Sequence, residues 1–185
     1  MERFRTLADV WVSTFFGNTV AWDQYNTLIE NLQSSAPDWE KLVGKKYVQN
    51  SLTMREKYRF FHWELEFPEV FYDEQGDRKN SAGFDAVIGN PPYVDSEEMT
   101  KSHMELRQYC TERWRAASGN WDLFVIFVEL GLTSVRRGGY SSLIVPNKLL
   151  GAEYSISVQS IIKASRPIAF RDYSRAKVFE QDIYP

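Results

Sequence analysis

The sequence has little of what would mark a disulfide framework, a metal site or a membrane protein. Its 185 residues include a single cysteine, Cys110, so an internal disulfide is excluded. Two histidines and no Cys-x-x-Cys pattern argue against a zinc site. No apolar run approaches the length of a membrane span and no signal peptide opens the chain, so we expect a cytoplasmic protein without a membrane partner.

An excess of basic residues, the usual mark of a nucleic-acid-binding protein, is also missing. The 22 basic and 25 acidic residues give a net charge of −3, which argues against the chain gripping DNA by itself. The charge is uneven, however, because residues 136–177 hold eight basic and two acidic residues, a net +6. This basic segment could face a phosphate backbone, or it could be the solvated surface of ordinary helices; the sequence leaves both open.

The chain is long enough, and apolar enough, to fold around a real core. Hydrophobic residues make up 43% and aromatic residues 15% of the chain, which indicates a globular protein. Apolar residues recur at helical spacing in the N-terminal third. They predict three helical stretches: residues 2–16, stopped by Gly17; residues 19–33, capped by Thr19; and residues 38–66, interrupted near Gly44.

The most informative stretch runs from Phe84 to Tyr93. Ala86-Val87-Ile88 is a short apolar run, as expected of a strand buried on both faces, and Gly89 ends it. In the following Asn90-Pro91-Pro92-Tyr93, the prolines lack N–H groups and have fixed φ angles, so the turn is stiff and its carbonyls can accept from a ligand. Ligands bind beyond such strand ends in open α/β sheets. A plain proline turn, with Tyr93 as a surface anchor, is the alternative.

The second half of the chain predicts the alternation of strands and helices that is typical of a doubly wound sheet. The predicted elements are a loop at residues 94–100, a helix at 101–115, an apolar helix capped by Asn120 or Asp122 and ended by Gly138-Gly139, a strand at 140–145 closed by Pro146-Asn147, a helix at 152–164 and a short strand at 168–173.

Asn-Pro-Pro-Tyr at the end of a hydrophobic strand resembles the catalytic motif of the amino-methyltransferases, which move a methyl group from S-adenosylmethionine to an exocyclic or amide nitrogen. The run 83–94 is most similar to N6-adenine DNA methyltransferases of restriction-modification systems, especially the fused type IIG kind. The block 122–150 resembles the stretch that follows the catalytic strand in that family. The resemblance covers residues 61–185 well and residues 1–60 weakly. It implies an α/β fold, a partial Rossmann-like S-adenosylmethionine-dependent methyltransferase with a helical N-terminal segment.

The resemblance also implies roles for particular residues. Asn90 Oδ1 and the Pro91 carbonyl would accept from the adenine amino group, which frees the nitrogen lone pair to attack the sulfonium methyl. Pro92 belongs to the same catalytic motif, and Tyr93 would stack on a flipped base. Phe179 is the residue expected to stack on the opposite face of the base, with a core phenylalanine as the alternative.

One feature of the family is missing from the sequence, namely a glycine-rich loop that holds the methionine part of the cofactor. Gly138-Gly139 precedes a predicted strand, the wrong order for a strand–loop–helix cradle, and the other glycines stand alone. We therefore expect a helical segment at 1–71, packing on an incomplete catalytic half of a methyltransferase domain at 72–185. Such a piece, cut from a larger bacterial or archaeal protein, is expected neither to bind the cofactor tightly nor to turn over alone.

The partners implied by the resemblance are double-stranded DNA with a flipped adenine and other domains of the parent protein. Those domains would recognise the target, and whether a nuclease is fused stays open. An RNA or protein-glutamine N-methyltransferase with the same motif is one alternative, although Pro146-Asn147 and the apolar helix after Asp122 favour the DNA group. A non-catalytic DNA-binding or scaffold subunit is another, and the missing cofactor loop and acidic balance fit it.

Overall fold

The computed structural model describes residues 1–173 and 175–176, which form two compact units, Met1–Arg78 and the residues from Lys79 onward. The first unit contains the helices α1 (Glu2–Ser13), α2 (Trp22–Glu30), α3 (Ala36–Val43), α4 (Lys46–Tyr58), α5 (Trp63–Glu66) and α6 (Pro68–Phe71). The second contains β1 (Phe84–Gly89), α7 (Ser96–Ser102), α8 (Met104–Arg113), α9 (Phe124–Ser134), β2 (Val135–Leu143), α10 (Lys148–Gly151) and α11 (Ile156–Ala164).

The first predicted helix is confirmed, and the start of the second was wrong. α1 continues as a 3-10 turn over Thr14–Phe16 and stops at Gly17, whose φ of 89° is left-handed and suits glycine. Thr19 does not cap α2, which begins at Trp22 instead. There the side chain of Gln24 accepts a hydrogen bond of 3.0 Å from the Ala21 N–H, which satisfies a backbone donor at the helix start.

The third predicted stretch is divided more often than the sequence suggested. α3 begins before Asp38, because Pro37 stands in its first turn, where a missing N–H costs no hydrogen bond. The predicted interruption near Gly44 is confirmed, since α3 ends at Val43 and α4 begins at Lys46. α4 then stops at Arg59, which has a left-handed φ of 54°, so the helix does not reach residue 66.

The core of the first unit is built from Val10, Leu28, Trp39 and Val48, and α1 packs on α4. Asp9 is also fully buried between these helices. Its Oδ1 lies 2.8 Å from His62 Nε2, and its Oδ2 accepts a hydrogen bond of 3.2 Å from Arg55 Nη1. The carboxylate therefore ties α1 to α4 and to the segment that precedes α5.

The second unit is organised by a parallel pairing of β1 with β2, which confirms the predicted βαβ connection. Ala86 lies opposite Tyr140 and Gly89 opposite Leu143, with α7, α8 and α9 between the strands along the chain. α9 packs on the sheet closely enough that a Cβ atom at Gly131 would lie 2.9 Å from the Ser141 hydroxyl. One face of the sheet is thus covered by this helix.

The prediction that β1 is buried on both faces was wrong. In a strand, alternate side chains point to opposite faces, and Val87 lies on the face covered by α9. Ile88 and its neighbour Tyr140 on β2 lie on the other face, with 82% and 64% of their surface exposed. An apolar run in the sequence indicates a strand with apolar side chains, but the burial of those side chains depends on what packs against each face of the sheet.

The end of α9 and the start of β2 also differ from prediction. α9 stops at Ser134 and β2 begins at once, so Gly138-Gly139 lies inside the strand and does not end the helix. A Cβ atom at Gly139 would approach the carbonyl oxygens of Phe84 and Asp85 to 2.9 and 3.0 Å. Glycine is therefore required because the backbones of β1 and β2 run close together there.

Three further predictions are settled by the described residues. The segment 94–100 is not all loop, because the Asp95 side chain accepts a hydrogen bond from the Glu98 N–H and starts α7. The predicted helix at 152–164 is confirmed as a short 3-10 turn followed by α11. Residues 168–173 form no strand, since β-structure needs a partner and none pairs with them in the described part of the chain.

Apolar residues of α8, α9 and the loop between them, together with Met99 of α7, Leu149 of α10 and Val158 of α11, form the core of the second unit. Cys110, Trp121 and Phe124 are among its buried members. Within residues 1–173 and 175–176, no helix has the length and hydropathy needed to cross a membrane. The same residues hold no cluster of three or more potential metal-ligating side chains.

Candidate functional site

The four residues singled out by the sequence, Asn90 to Tyr93, follow β1 directly. Because β1 and β2 are parallel, the turn lies at the edge of the sheet where both strands end. The Ile144 N–H donates a 3.1 Å hydrogen bond to the Gly89 carbonyl. The start of the turn is therefore fixed to the residue that follows β2.

The side chains of the turn differ in how far they are exposed. Asn90 is exposed, and within the described residues its side-chain amide makes no hydrogen bond, so its oxygen can accept one from a ligand. Pro91 is buried and Pro92 is exposed. The structure thus presents an exposed amide next to a rigid proline backbone.

Tyr93 is partly buried and closes the turn. Its hydroxyl group donates a 3.3 Å hydrogen bond to the Ile144 carbonyl oxygen. Burial raises the pKa of Tyr93 above its ordinary value, so the hydroxyl stays protonated and able to donate at neutral pH. Ile144 therefore holds both ends of the turn, through its N–H at Gly89 and through its carbonyl at Tyr93.

The segment just after the turn is held from a second direction, by the loop that precedes α9. The Leu123 N–H donates to the Val94 carbonyl at 2.9 Å. The Ser96 N–H donates to Asp122 Oδ1, also at 2.9 Å. Residues 122–123 thus fix the chain within three residues of Tyr93.

Asp122 is the residue of this region that sequence reasoning undervalued. Its place in the sequence predicts a helix cap, but α9 begins at Phe124 and its cap position, Leu123, makes no side-chain cap bond. Asp122 is only 7% exposed, and its Oδ2 accepts from Lys148 Nζ at 3.3 Å and from the Tyr154 hydroxyl at 2.7 Å. Burial and the hydrogen bond to Asp122 raise the pKa of Tyr154.

A pocket of about 900 Å³ opens next to Asp122, at the strand ends. Its charged lining residues are four carboxylates and one lysine. The lining residues are Asp95, Ser96, Glu97, Ser118, Gly119, Asn120, Asp122, Lys148, Ala152, Glu153, Tyr154, Ile156 and Ser157. Such a lining does not suit a phosphate group, because the carboxylates would repel it.

Two other sequence predictions have different outcomes. Phe179, the second predicted stacking residue, lies outside the described residues. In the basic segment, Arg136 Nε lies 2.6 Å from Asp85 Oδ1 and Lys148 bonds to Asp122, so both of these cations already have a carboxylate partner. The side chains of Arg137, Lys163, Arg166, Arg171 and Arg175 are exposed.

The described residues do not fit the cofactor loop of a methyltransferase. Such a loop is glycine-rich and joins a strand to a helix. β1 is followed by Asn90-Pro91-Pro92, and β2 is followed by Ile144 and Pro146-Asn147 before α10. Neither connection contains a glycine, so none of the described residues is assigned to the methionine part of a cofactor.

Comparison with known proteins identifies the class to which this fold and turn belong. The pattern of the Eco57I restriction-modification methylase family matches residues 8–179. Because the match extends over most of the sequence, the chain belongs to this family. The resemblance to restriction-modification methyltransferases stated from the sequence is thereby confirmed.

Two curated relatives are similar over parts of the chain. One, from Methanocaldococcus jannaschii, is named "Putative type II restriction enzyme and methyltransferase" and is 30% identical over 119 residues, which is 63% of this chain and 9% of that protein. The other, a type II restriction enzyme and methyltransferase of Escherichia coli, is 20% identical over 83 residues, 45% of this chain and 8% of that protein. The matched part of the chain thus spans less than a tenth of the length of either relative. No solved structure matches it.

Proposed function

We propose that the protein carrying this chain transfers a methyl group to the exocyclic N6 of adenine in DNA, as part of a restriction-modification enzyme. The observation that carries the proposal is the Asn90–Tyr93 turn at the end of β1, with an exposed and unbonded Asn90 amide, in a chain of the Eco57I methylase family. DNA is the substrate class that the names of the relatives favour, since both are restriction enzymes.

The proposed chemistry follows from the poor nucleophilicity of an aromatic amino group. The lone pair of N6 is delocalised into the adenine ring. When Asn90 Oδ1 and the Pro91 carbonyl accept hydrogen bonds from the amino group, the nitrogen can become tetrahedral and its lone pair can attack the methyl carbon. The N–C bond forms as the sulfonium S–C bond breaks, the sulfur leaves as a neutral thioether with the bonding pair, and the methylated nitrogen releases one proton to solvent. Pro91 is buried, so its carbonyl is held in a fixed position and needs no reorganisation during the reaction.

Tyr93 is proposed to stack on the base after it has left the helix. Stacking of a base on an aromatic ring contributes roughly 1–3 kcal/mol, which offsets the few kcal/mol that extrusion from the duplex costs. Phe179 is proposed to stack on the opposite face. The exposed arginines Arg166, Arg171 and Arg175 could then neutralise backbone phosphates close to the flipped nucleotide.

The proposed methyl donor is S-adenosylmethionine, which supplies an activated methyl group on a sulfonium. The fold around it is proposed to be Rossmann-like, with residues 72–185 as the catalytic part and residues 1–71 as a helical segment. A target-recognition domain, and a nuclease where one is fused, are proposed partners within the parent protein.

The test is methyl transfer by the protein at its full encoded length. Radiolabelled S-adenosylmethionine and unmethylated genomic DNA are incubated with wild-type protein, Asn90→Ala and a control, Asn80→Ala. Asn80 is an exposed amide in the loop before β1, so its loss should leave transfer unchanged. N6-methyladenine in the product digest, lost in Asn90→Ala alone, is the expected result.

Other outcomes would point to the alternatives. Transfer to RNA or to a protein glutamine, and none to DNA, would replace the proposed substrate. DNA binding without transfer to any of these substrates would favour a non-catalytic subunit. Undiminished transfer by Asn90→Ala would contradict the role of the turn.

A further inference from the structure

Asp122 links three segments that are distant in sequence. Its Oδ1 accepts from the Ser96 N–H at 2.9 Å, and its Oδ2 accepts from Lys148 Nζ at 3.3 Å and the Tyr154 hydroxyl at 2.7 Å. We propose that Asp122 is a positioning residue that fixes the Asn90–Tyr93 turn for the methyl-transfer step. The inference rests on the proposed function and adds to it a residue outside the motif.

The path from Asp122 to the turn is short. Leu123, the next residue, donates its N–H to the Val94 carbonyl at 2.9 Å, directly after Tyr93. Asp122 itself holds Ser96, two residues further on. The loop before α9 therefore grips residues 94 and 96, and a shift of Asp122 would be transmitted to Tyr93 through a single backbone hydrogen bond.

A second set of hydrogen bonds to the turn comes from the residues that follow β2. Ile144 bonds to Gly89 and Tyr93, and Lys148 and Tyr154 follow it along the same connection. By binding Lys148 and Tyr154, Asp122 joins the connection after β2 to the segment after the turn. The two segments that hold the turn, the loop before α9 and the chain after β2, are thus joined by the Asp122 carboxylate.

A carboxylate is suited to this position because all three of its neighbours donate hydrogen bonds. Ionised aspartate is an acceptor only, with enough lone pairs for three donors. An asparagine would keep an acceptor for Ser96 but would turn an NH2 group toward Lys148, which cannot accept. With only 7% of Asp122 exposed, water cannot easily replace the lost acceptor.

The consequence for catalysis follows from geometry. Methyl transfer requires the target nitrogen to be aligned with the methyl group, and a misplacement of about 1 Å can cost about 100-fold in rate. The hydrogen-bond partners of Asp122 are Ser96, Lys148 and Tyr154 and do not include Asn90, so its loss should act through the turn and reduce kcat by about 10- to 100-fold with little change in the KM for the methyl donor.

The experiment compares Asp122→Asn with Glu129→Gln in the full-length protein. Glu129 is a matched control because it is also 7% exposed and accepts from a backbone N–H, that of Ala116 at 2.7 Å. It holds the segment before α9 but not the turn. Both variants are expected to lower the melting temperature, whereas only Asp122→Asn should lower kcat. Equal effects of the two variants on kcat would overturn the inference.

Amide hydrogen exchange gives a second readout that does not depend on activity. In Asp122→Asn and in Tyr154→Phe, exchange of the Ser96 and Leu123 amides, whose N–H groups donate to Asp122 and to the Val94 carbonyl, should become faster, whereas Glu129→Gln should leave it unchanged. Unchanged exchange at these residues in Asp122→Asn would overturn the inference even if methyl transfer is found. If exchange is faster in Asp122→Asn but the full-length wild-type protein transfers no methyl group, the proposed function is overturned. Asp122 then remains a support of the turn only.

Discussion

The hydroxyl group of Tyr93 lies 3.3 Å from the carbonyl oxygen of Ile144 and donates a hydrogen bond to it. This bond crosses from the turn after β1 to the residue after β2. The same Ile144 donates its N–H to the Gly89 carbonyl. The aromatic ring of the motif is consequently held by the end of the neighbouring strand and does not depend on the turn alone.

Separate substitutions distinguish the hydrogen bond that the Tyr93 hydroxyl makes from the stacking role proposed for its ring. Tyr93→Phe keeps the ring and loses a hydrogen bond of about 1 kcal/mol, so kcat/KM for DNA should fall by less than about tenfold. Tyr93→Ala would also lose the proposed stack on the base, and kcat/KM should fall by a further factor of about 5 to 150. Steady-state methyl transfer measures both. Equal losses in the two variants would show that stacking contributes nothing.

Close approach of the two strands predicts that Gly139 cannot be replaced. In Gly139→Ala the Cβ atom would meet the carbonyl oxygens of Phe84 and Asp85 at 2.9 and 3.0 Å. The backbone must then shift, at a cost of about 1–3 kcal/mol in the free energy of unfolding. Denaturant titration measures this, with Gly151→Ala as the control, because a Cβ atom at Gly151 meets nothing within 4 Å. Equal stability of the two variants would contradict the close approach.

The turn itself could be predicted from the sequence because its signals are local. A strand, a glycine, an amide and two prolines occupy consecutive positions, and the structure places β1 over Phe84–Gly89 as expected. The prediction that Gly138-Gly139 ends α9 was wrong because the role of this pair depends on a contact that is distant in sequence. Two glycines after an apolar helix are typical of a helix stop. Here Gly139 is needed because the backbone of β1, about fifty residues earlier in the chain, lies too close for a side chain.

Asp122 could not be assigned from sequence for a related reason. Its partners Ser96 and Lys148 are each 26 residues away and Tyr154 is 32 residues away. A lone aspartate before an apolar helix is most often a cap, and nothing in its neighbourhood indicates distant donors. The exposure of Ile88 could not be predicted either, because hydrophobic periodicity in the sequence does not indicate which face of a sheet is covered.

The buried carboxylate of Asp9 predicts a large effect on stability in the first unit. Asp9→Asn would remove the buried carboxylate that Arg55 and His62 share, although Arg55 Nη1 keeps Glu2 Oε1 at 3.3 Å, so we expect a loss of about 1–3 kcal/mol in the free energy of unfolding. Denaturant titration should show this loss. Asp38→Asn is the control, because the Asp38 carboxylate pairs with Lys41 on the exposed surface and its removal should cause no resolvable change. A small effect of Asp9→Asn would mean that water reaches the site.

Burial raises the pKa of Cys110 from its ordinary value of 9.0 to about 11. The thiolate is the reactive form, so at pH 8 the native thiol should be alkylated about 100-fold more slowly than the same thiol in the unfolded chain. Mass spectrometry of the Cys110 peptide after timed iodoacetamide treatment, with and without denaturant, measures the ratio. Equal rates would show that the thiol is accessible to solvent.

The same shift in the pKa of Cys110 has a consequence for stability. Folding favours the protonated thiol, so its contribution is fully present below pH 9 and is lost as the pH rises toward 11, because only the unfolded chain ionises in that interval. Cys110→Ala removes the titration. The difference in free energy of unfolding between wild type and Cys110→Ala should therefore be constant below pH 9 and shift against the wild type above it. A difference that stays constant from pH 8 to pH 11 would contradict the burial of this thiol.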